Sequence, residues 1–213
     1  MSQEPISTVY VVDDDPDVCR SLKQLLESDH LRAETFQSAR EFLDLYSPDL
    51  AGCLLLDIRM PRVSGLDLLD ELNQHPGTRM PVIVITGHGD VPTAVRALRN
   101  GAIDFLEKPF QAQDLLDRVH AALASDAEIR RRNAEIAAIR ERLAQLSTRE
   151  RQVLDLVVRG EPNKAIAGSL GITIRTVEVH RSRVMTKMNA DHITELVRML
   201  LQAGIGEPNP AQP

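Results

Sequence analysis

The sequence has few aromatic residues and few cysteines. Its 213 residues include no Trp, two Tyr, four Phe and two Cys. So little aromatic surface argues against a tyrosine-rich binding face. Cys19 and Cys53 are too few for a disulfide framework or a cysteine-based metal cluster. Both lie among apolar neighbours, as small core residues do, and such cysteine use is typical of a reducing, cytoplasmic compartment.

Long apolar runs are also absent. No apolar stretch reaches the roughly 18 residues that a membrane-spanning helix needs. The N-terminal MSQEPISTVYVV has no basic leader before an apolar stretch, so a secretory signal is not expected. These absences predict a cytoplasmic protein with no membrane partner.

The charge is unevenly distributed along the chain. Residues 1–124 hold 11 Lys+Arg against 20 Asp+Glu, a net charge of −9. Residues 125–146 have a net charge of +1, and residues 147–213 have +2. An acidic front half and a mildly basic back half predict two modules with different partners. We expect a first domain over 1–124, a helical linker over 125–146, a second domain over 147–206 and a disordered tail over 207–213.

The front half alternates strand-like and helix-like stretches five times. This alternation predicts an α/β fold with a parallel sheet covered on both faces. Five strands in this length fit a flavodoxin-like (βα)5 fold with sheet order 2-1-3-4-5. The expected strands are TVYVV (8–12), RAETF (32–36), CLLLD (53–57), VIVIT (82–86) and IDFLE (103–107).

The middle segment contains no Gly or Pro and carries an apolar stripe. Ile129, Ile136 and Leu143 are seven residues apart, and Ile139 and Leu146 follow the same spacing. The stripe predicts a long helix. It fits either a single helix packed on its neighbouring domain or a coiled coil between two chains.

The back half is predicted to be an all-α, four-helix domain. Ser147 and Glu150 have the spacing of a capping box. Asn163 is expected to cap the next helix, which should stop at Gly171, and Thr173 is expected to cap the one after. The run from 163 to 188 therefore has a helix, a glycine-containing turn and a second helix, the pattern of a helix-turn-helix.

Acidic residues follow two of the expected strands. Asp13 and Asp14 come after the first strand and Asp57 ends the third, so all three should meet at the carboxyl edge of the sheet. Carboxylates so close together repel one another unless a cation lies between them, and oxygen ligands favour Mg²⁺ or Mn²⁺. Thr86 ends the fourth strand and Lys108 follows the fifth, and each could bind a phosphoryl oxygen.

The motifs VVDDD, LLLDIRMP, VIVITG and FLEKPF together resemble the receiver domain of two-component response regulators, over roughly residues 6–125. TGHGDVP (86–92) is similar to the FixJ branch. The resemblance implies that Asp57 is the phosphoacceptor and receives its phosphoryl group from a phosphohistidine on a partner kinase. Asp14, Asp57 and the backbone carbonyl of Arg59 are the implied Mg²⁺ ligands, with Asp13 acting through water.

The resemblance also implies a set of switch residues. Thr86 and Lys108 would bind the phosphoryl oxygens, and the bond between Lys108 and Pro109 would be cis. Phe105 occupies the switch aromatic position, where many receivers have Tyr. Because Phe has no hydroxyl group, its inward movement would depend on packing alone.

The back half resembles the LuxR-type DNA-binding domain over roughly residues 142–206, from LSTRERQVLDL to the last helix. The resemblance implies that Val177 and Val184 are core residues. Glu178 is expected to be a specificity residue, since a carboxylate can accept a hydrogen bond from cytosine N4. The candidate DNA-contacting residues are Lys164, Arg175, Glu178, Val179, Arg181, Ser182 and Lys187.

Together the resemblances imply a DNA-binding response regulator of the FixJ/NarL type rather than an enzyme. Phosphorylation of Asp57 by a sensor histidine kinase would promote dimerisation and binding to promoter DNA. A homodimer could also form through the linker helix, and RNA polymerase is a candidate partner. The aspartyl phosphate would be lost slowly by hydrolysis.

Two other classes remain as alternatives. A Mg²⁺-dependent aspartyl phosphatase would carry a DxDxT signature, but here Asp57 is followed by Ile58, Arg59 and Met60. An orphan regulator that is never phosphorylated, or a pure interaction module, would not require the full set of acids with Thr86 and Lys108.

Overall fold

The computed structural model describes residues 6–74, 80–87 and 91–205. The chain divides into two compact units, Met1–Arg130 and Arg131–Pro213. Within the described residues, no helix has the length and apolar character needed to cross a membrane.

The first unit contains one sheet of five parallel strands in the order β2-β1-β3-β4-β5. This confirms the predicted fold and strand order. The strands are β1 (Thr8–Val12), β2 (Ala33–Phe36), β3 (Gly52–Asp57), β4 (Val82–Thr86) and β5 (Asp104–Glu107).

Helices connect the strands, and the described part of the second unit consists of helices joined by short turns. In the first unit they are α1 (Pro16–Ser28), α2 (Ala39–Leu45), α3 (Gly65–Gln74), α4 (Val91–Arg99) and the start of α5 (Ala112–Ala144). In the second unit they are α6 (Thr148–Val158), α7 (Asn163–Leu170), α8 (Ile174–Met188) and α9 (Ile193–Gln202).

The sheet is buried on both faces because side chains alternate along each strand. Val12, Leu54 and Leu56 belong to one apolar cluster, which also holds Phe42 of α2. Strand residues whose side chains point to the other face of the sheet, such as Leu55, belong to a second cluster with apolar residues of α1 and α5. A sheet fixed from both sides can hold side chains at its carboxyl edge in defined positions.

Helix α5 contributes side chains to both units. Leu115 and Val119, near its start, are buried in the first unit. Ile139 and Leu143, near its end, are buried in the core of the second unit with residues of α8 and α9. The expected linker, residues 125–146, is helical up to Ala144 and falls into both units.

The apolar stripe of the linker therefore packs largely within its own chain. Ile136 and Leu146 also pack against the cluster that contains Ile139 and Leu143, whereas Ile129 is exposed. This packing fits the single-helix interpretation of the heptad spacing. The coiled coil remains a prediction.

Candidate functional site

Asp13 and Asp57 lie side by side at the carboxyl edge of the sheet. Strands β1 and β3 pair in parallel with Val12 opposite Leu56, so the two following residues are neighbours. Both are buried, with Asp13 4% and Asp57 7% exposed. Two carboxylates in such positions need compensating positive charge.

Lys108 provides that charge. Its Nζ donates to Asp13 Oδ2 at 2.7 Å and to Asp57 Oδ1 at 3.1 Å. The residue follows β5, and its backbone amide donates to the carbonyl oxygen of Thr86 at 2.8 Å. The peptide bond between Lys108 and Pro109 is cis, as the resemblance to receiver domains implied. The lysine therefore bridges the two aspartates from the neighbouring strands.

The second oxygen of each carboxylate is held by a backbone amide. Asp13 Oδ1 accepts from the amide of Asp15 at 3.0 Å, and Asp57 Oδ2 accepts from the amide of Arg59 at 2.6 Å. Each acid thus has one oxygen fixed by its own loop and one directed at Lys108. This arrangement fixes the orientation of both carboxylates.

Burial sets the protonation behaviour of the site. It raises the pKa of Asp57, against the opposing effect of the Lys108 ammonium. Burial also disfavours the charge of Lys108, but the carboxylates of Asp13 and Asp57 outweigh it and raise the pKa of this lysine. The ammonium therefore stays protonated at neutral pH beside an aspartate that is costly to ionise.

Glycine at position 65 lets α3 approach the acidic site closely. A Cβ atom added to Gly65 would collide with the backbone carbonyl of Asp57, while the Gly65 amide donates to the carbonyl oxygen of Ile58 at 3.0 Å. The Ser64 hydroxyl oxygen accepts from the amide of Asp67 at 3.2 Å and so caps the start of α3. The need for glycine at position 65 is not visible in the sequence, because the close backbone approach depends on the tertiary fold.

The acidic residues suit an oxygen-liganded divalent cation only in part. Asp13, Asp57 and Lys108 together leave one formal negative charge, which balances only half of the charge of a divalent cation. Asp14, however, is exposed. Among the residues described, no three His, Cys, Asp or Glu side chains form a group that could hold a metal ion. The expected trio of Asp13, Asp14 and Asp57 is thus a buried pair with an exposed neighbour.

The predicted switch residues Thr86 and Phe105 lie on β4 and β5. Thr86 ends β4 and is 1% exposed. Phe105 on β5 is half-buried and packs against the cluster that contains Tyr10 and Phe42. The loop residues His88 and Gly89, named in the FixJ-like motif, lie outside the described residues.

The second unit presents one exposed face of α8. Arg175, Glu178, Val179 and Ser182 are exposed, and their spacing of three and four residues places them on the same side of the helix. Val177 and Val184 are buried on the opposite side, which confirms that they are core residues. Lys164 of α7 is also exposed.

Two predicted DNA-contacting residues have partners within the unit. Lys187 Nζ donates to Glu150 Oε2 at 2.7 Å and to the carbonyl oxygen of Gln145 at 3.1 Å. Arg181 Nη1 donates to Asn163 Oδ1 at 2.8 Å. Sequence reasoning missed these pairings because each depends on how the helices of the second unit pack against one another.

Asn163 does not cap α7, contrary to the sequence prediction. It is the first residue of the helix, Pro162 occupies the N-cap position, and no side chain caps the helix there. The other predicted caps are confirmed. Ser147 and Glu150 form the capping box of α6, and Thr173 caps α8.

Two family models match the chain. The response regulator receiver domain matches residues 9–120, and the luxR family of bacterial regulatory proteins matches residues 144–200. Receiver domains generally bind Mg²⁺ at their acidic pocket.

Individual proteins also resemble the chain along most of its length. The transcriptional regulatory protein FixJ of Azorhizobium caulinodans is 51% identical over 205 residues, covering 96% of this chain and 97% of the relative. Nodulation protein W of Bradyrhizobium diazoefficiens is 44% identical over 197 residues, and the match covers 92% of this chain and 86% of that relative. The structure of the response regulator StyR superimposes with a TM-score of 0.84 at 43% identity, covering 92% of this chain and 98% of that chain.

These matches agree with the parallel sheet, the acidic pair bridged by a lysine and the exposed helix of the second unit. The chain belongs to the two-component response regulators that join a receiver domain to a LuxR-type DNA-binding domain.

Proposed function

We propose that this chain is a transcription regulator controlled by phosphorylation of Asp57. The observation that carries the proposal is the buried Asp57 carboxylate with Oδ1 3.1 Å from the Lys108 ammonium. A carboxylate held in this way is a nucleophile with a fixed approach direction and a cation beside it to accept new negative charge.

The phosphoryl group would come from a phosphohistidine of a sensor histidine kinase. An oxygen of the ionised Asp57 attacks phosphorus, the phosphorus–nitrogen bond breaks, and its electron pair leaves with the imidazole. Lys108 and Thr86 would bind oxygens of the transferred group. Mg²⁺, held by Asp57, Asp14 and the carbonyl of Arg59 with Asp13 acting through water, would neutralise phosphoryl charge; Mn²⁺ has the same donor preference.

The signal would then pass to β5. When Lys108 and Thr86 turn from their resting partners to the phosphoryl oxygens, the backbone link from Lys108 to Thr86 couples the ends of β4 and β5. Phe105, which is half-buried beside the core, would pack further inward. The resulting change in the first unit would favour a homodimer, with the linker part of α5 as a second route to association.

The second unit would bind promoter DNA through the exposed face of α8. Arg175 and Lys164 are exposed cations suited to phosphates, while Glu178, Val179 and Ser182 are placed to meet base edges. A dimer would bring two such faces to half-sites about one helical turn apart. A chain with these partners works in the cytoplasm, with RNA polymerase as a further partner.

The chain would hold and slowly lose its phosphoryl group without being a dedicated enzyme. The DxDxT signature of aspartyl phosphatases is absent, since Arg59 stands two residues after Asp57. The Asp57, Lys108 and Thr86 set also argues against an orphan regulator that needs no phosphoryl group.

Beryllofluoride with Mg²⁺, a mimic of the phosphoryl group, tests the proposal on the full chain. We expect a higher mass in sedimentation and tighter binding to promoter DNA, and we expect Asp57→Ala to lose both responses. Asp44→Asn is a matched control, since this acid is exposed on α2 and pairs with Arg40, and it should respond as wild type. Unchanged mass and DNA affinity in the wild-type chain would overturn the proposal.

A further inference from the structure

Arg181 faces the interior of the second unit, although it lies on the helix expected to read DNA. The buried residues Val177, Val184 and Met188 are four residues before it and three and seven after it. This spacing places Arg181 on the buried face of α8. Its side chain is half-buried, in contrast to the exposed Arg175 and Arg183.

The surroundings of Arg181 are mostly apolar. It lines a cavity of about 20 Å³ together with residues of α6, α8 and α9 that include Val153, Leu154 and Leu196. An arginine can lay its aliphatic stem along such a surface and send the guanidinium to a polar partner. That partner is Asn163, whose Oδ1 accepts from Nη1 at 2.8 Å.

Asn163, the partner of Arg181, does not cap its helix although asparagine commonly does. Asn is among the best N-cap residues, worth about 1 kcal/mol at a helix start, yet Asn163 stands one position too late to cap α7. Its side-chain oxygen is bound instead to Arg181 of the next helix. The bond therefore joins the start of α7, beside the exposed Lys164, to the middle of α8.

We propose that Arg181 is a positioning residue which, through Asn163, sets the angle of α8 against α7 and thereby the selectivity for a DNA sequence, without itself contacting a phosphate. The inference rests on the proposed DNA-binding function. It changes the expected role of Arg181 and leaves Arg175, Glu178, Val179 and Ser182 as the residues of α8 that meet DNA.

Salt dependence separates a positioning residue from a phosphate contact. Each phosphate contact contributes about 0.9 to the slope of log affinity against log salt, for any sequence. Loss of a positioning residue weakens binding to a selected sequence and leaves this slope and the binding to random DNA unchanged. The probes are a duplex selected from a random pool by the wild-type chain and a duplex of scrambled sequence.

We expect Arg181→Met in the full chain to weaken binding to the selected duplex about tenfold, the equivalent of one charged hydrogen bond. Its salt slope and its affinity for the scrambled duplex should match wild type. Arg175→Met and Lys164→Met remove exposed cations, and each should reduce the slope by about 0.9 for every protomer bound. A similar reduction in slope for Arg181→Met would overturn the proposal.

Changes at Asn163 test the same bond without altering a cation, and they decide the question if Arg181→Met folds poorly. Asn163→Ala should weaken selected binding as much as Arg181→Met, and the double variant should be no weaker than either. Asn163→Asp keeps an acceptor, so it should retain the wild-type ratio of affinities for the selected and scrambled duplexes, while its added negative charge weakens binding to both. Wild-type selectivity in Asn163→Ala would overturn the inference, whereas a wild-type chain that enriches no sequence would overturn the DNA-binding function itself.

Discussion

Asp57 combines two properties that oppose each other. A phosphoacceptor must be ionised to attack phosphorus, but burial beside Asp13 favours the neutral acid. Lys108 makes the ionised form tolerable by bridging both carboxylates. The site therefore holds its nucleophile at some cost to the stability of the folded receiver, as functional sites often do.

Because the ionised Asp57 carboxylate lowers the stability of the receiver, replacing it with a neutral side chain is expected to stabilise the fold. A folded-state pKa raised above the unfolded value means that ionised Asp57 destabilises the fold at pH values above the folded pKa. The effect disappears below the unfolded pKa, near 3.9. Asp57→Asn should therefore unfold at a higher temperature than wild type at neutral pH in metal-free buffer.

The unfolding temperature of the first unit can be measured by tyrosine fluorescence, because the chain has only two tyrosines and no tryptophan. Tyr10 and Tyr46 both belong to the first unit, so tyrosine fluorescence follows the receiver alone. The advantage of Asp57→Asn should shrink as the pH is lowered toward 4. A variant less stable than wild type at pH 7 would contradict the assignment of burial as the dominant effect.

Gly65 shows how one residue can be required by packing rather than by local conformation. Gly65→Ala would place a Cβ atom against the carbonyl of Asp57, so we expect a loss of roughly 1–3 kcal/mol in the first unit and slower phosphorylation by a small phosphodonor. Gly168→Ala is the control, since that Cβ would meet open space in α7 and should raise helix stability by roughly 0.5–1 kcal/mol. Equal effects at both positions would show that the close approach at Gly65 is unimportant.

At the scale of elements, a buried acid fixes the middle of α5 to the first unit. Asp126 is 1% exposed, and its Oδ2 accepts from the amide of Gly52 and from Arg130 Nε, each at 2.8 Å. Arg130 also donates to the carbonyl oxygens of Asp49 and Leu50. The helix is thereby attached to the start of β3, the strand that ends at Asp57.

Removing the Arg130 cation should lower the free energy of unfolding of the first unit. Arg130→Met leaves a buried carboxylate without its cation, so we expect a loss of about 3–5 kcal/mol in the first unit. Glu135→Gln breaks the ion pair with Arg131, which has the same i,i+4 spacing in α5 but is exposed, and should cost about 0.5 kcal/mol or less. Urea unfolding followed by tyrosine fluorescence measures the loss of stability in Arg130→Met. A loss as small as the one expected for Glu135→Gln would contradict the burial argument.

Glu150 links the start of α6 to the end of α8. Its carboxylate accepts from Lys187 and from the Ser147 amide at 2.7 and 2.8 Å, and these bonds, with the Lys187 bond the larger influence, lower the pKa of Glu150 to about 2. A depressed folded pKa adds stability above the unfolded value, near 4.3, and this stability is lost as the pH falls toward 2.

Acid titration should reveal this link. Wild type should lose stability in the second unit between about pH 4.3 and 2, whereas Glu150→Gln should be less stable at pH 7 and should lack that part of the acid dependence. Circular dichroism at the helix band measures both. Glu161→Gln, an exposed acid between α6 and α7, should keep the wild-type profile, and an unchanged profile in Glu150→Gln would refute the role of the pair.

The sequence predicted the sheet order and the meeting of Asp13 and Asp57 at the carboxyl edge because apolar strands and turn residues are local signals, although Asp14 of the expected trio is exposed. It could not predict the bond between Asn163 and Arg181, since each residue also fits another pattern, a helix cap and a basic recognition helix. The stripe from Ile136 to Leu146 was ambiguous for a related reason. A coiled coil and a helix buried in its own domain require the same spacing of apolar residues.

At the scale of the whole molecule, the two units share α5 but have separate cores. The clusters of the first unit contain residues of β1, β3 and β4, and those of the second contain residues of α6, α8 and α9. Units with separate cores are expected to unfold as separate cooperative transitions. The shared helix offers a matched pair of substitutions that tests this independence.

Leu115 and Leu143 are both buried leucines of α5, one in each unit. Leu143→Ala should cost the second unit about 2–5 kcal/mol and lower its transition by roughly 10 °C or more, seen by circular dichroism but not by tyrosine fluorescence. Leu115→Ala should lower the fluorescence transition and, with it, only the part of the circular dichroism change that comes from the helices of the first unit. If Leu143→Ala also lowers the fluorescence transition, α5 couples the units into one cooperative body, and the response to phosphorylation would then be a property of the whole chain rather than of the receiver alone.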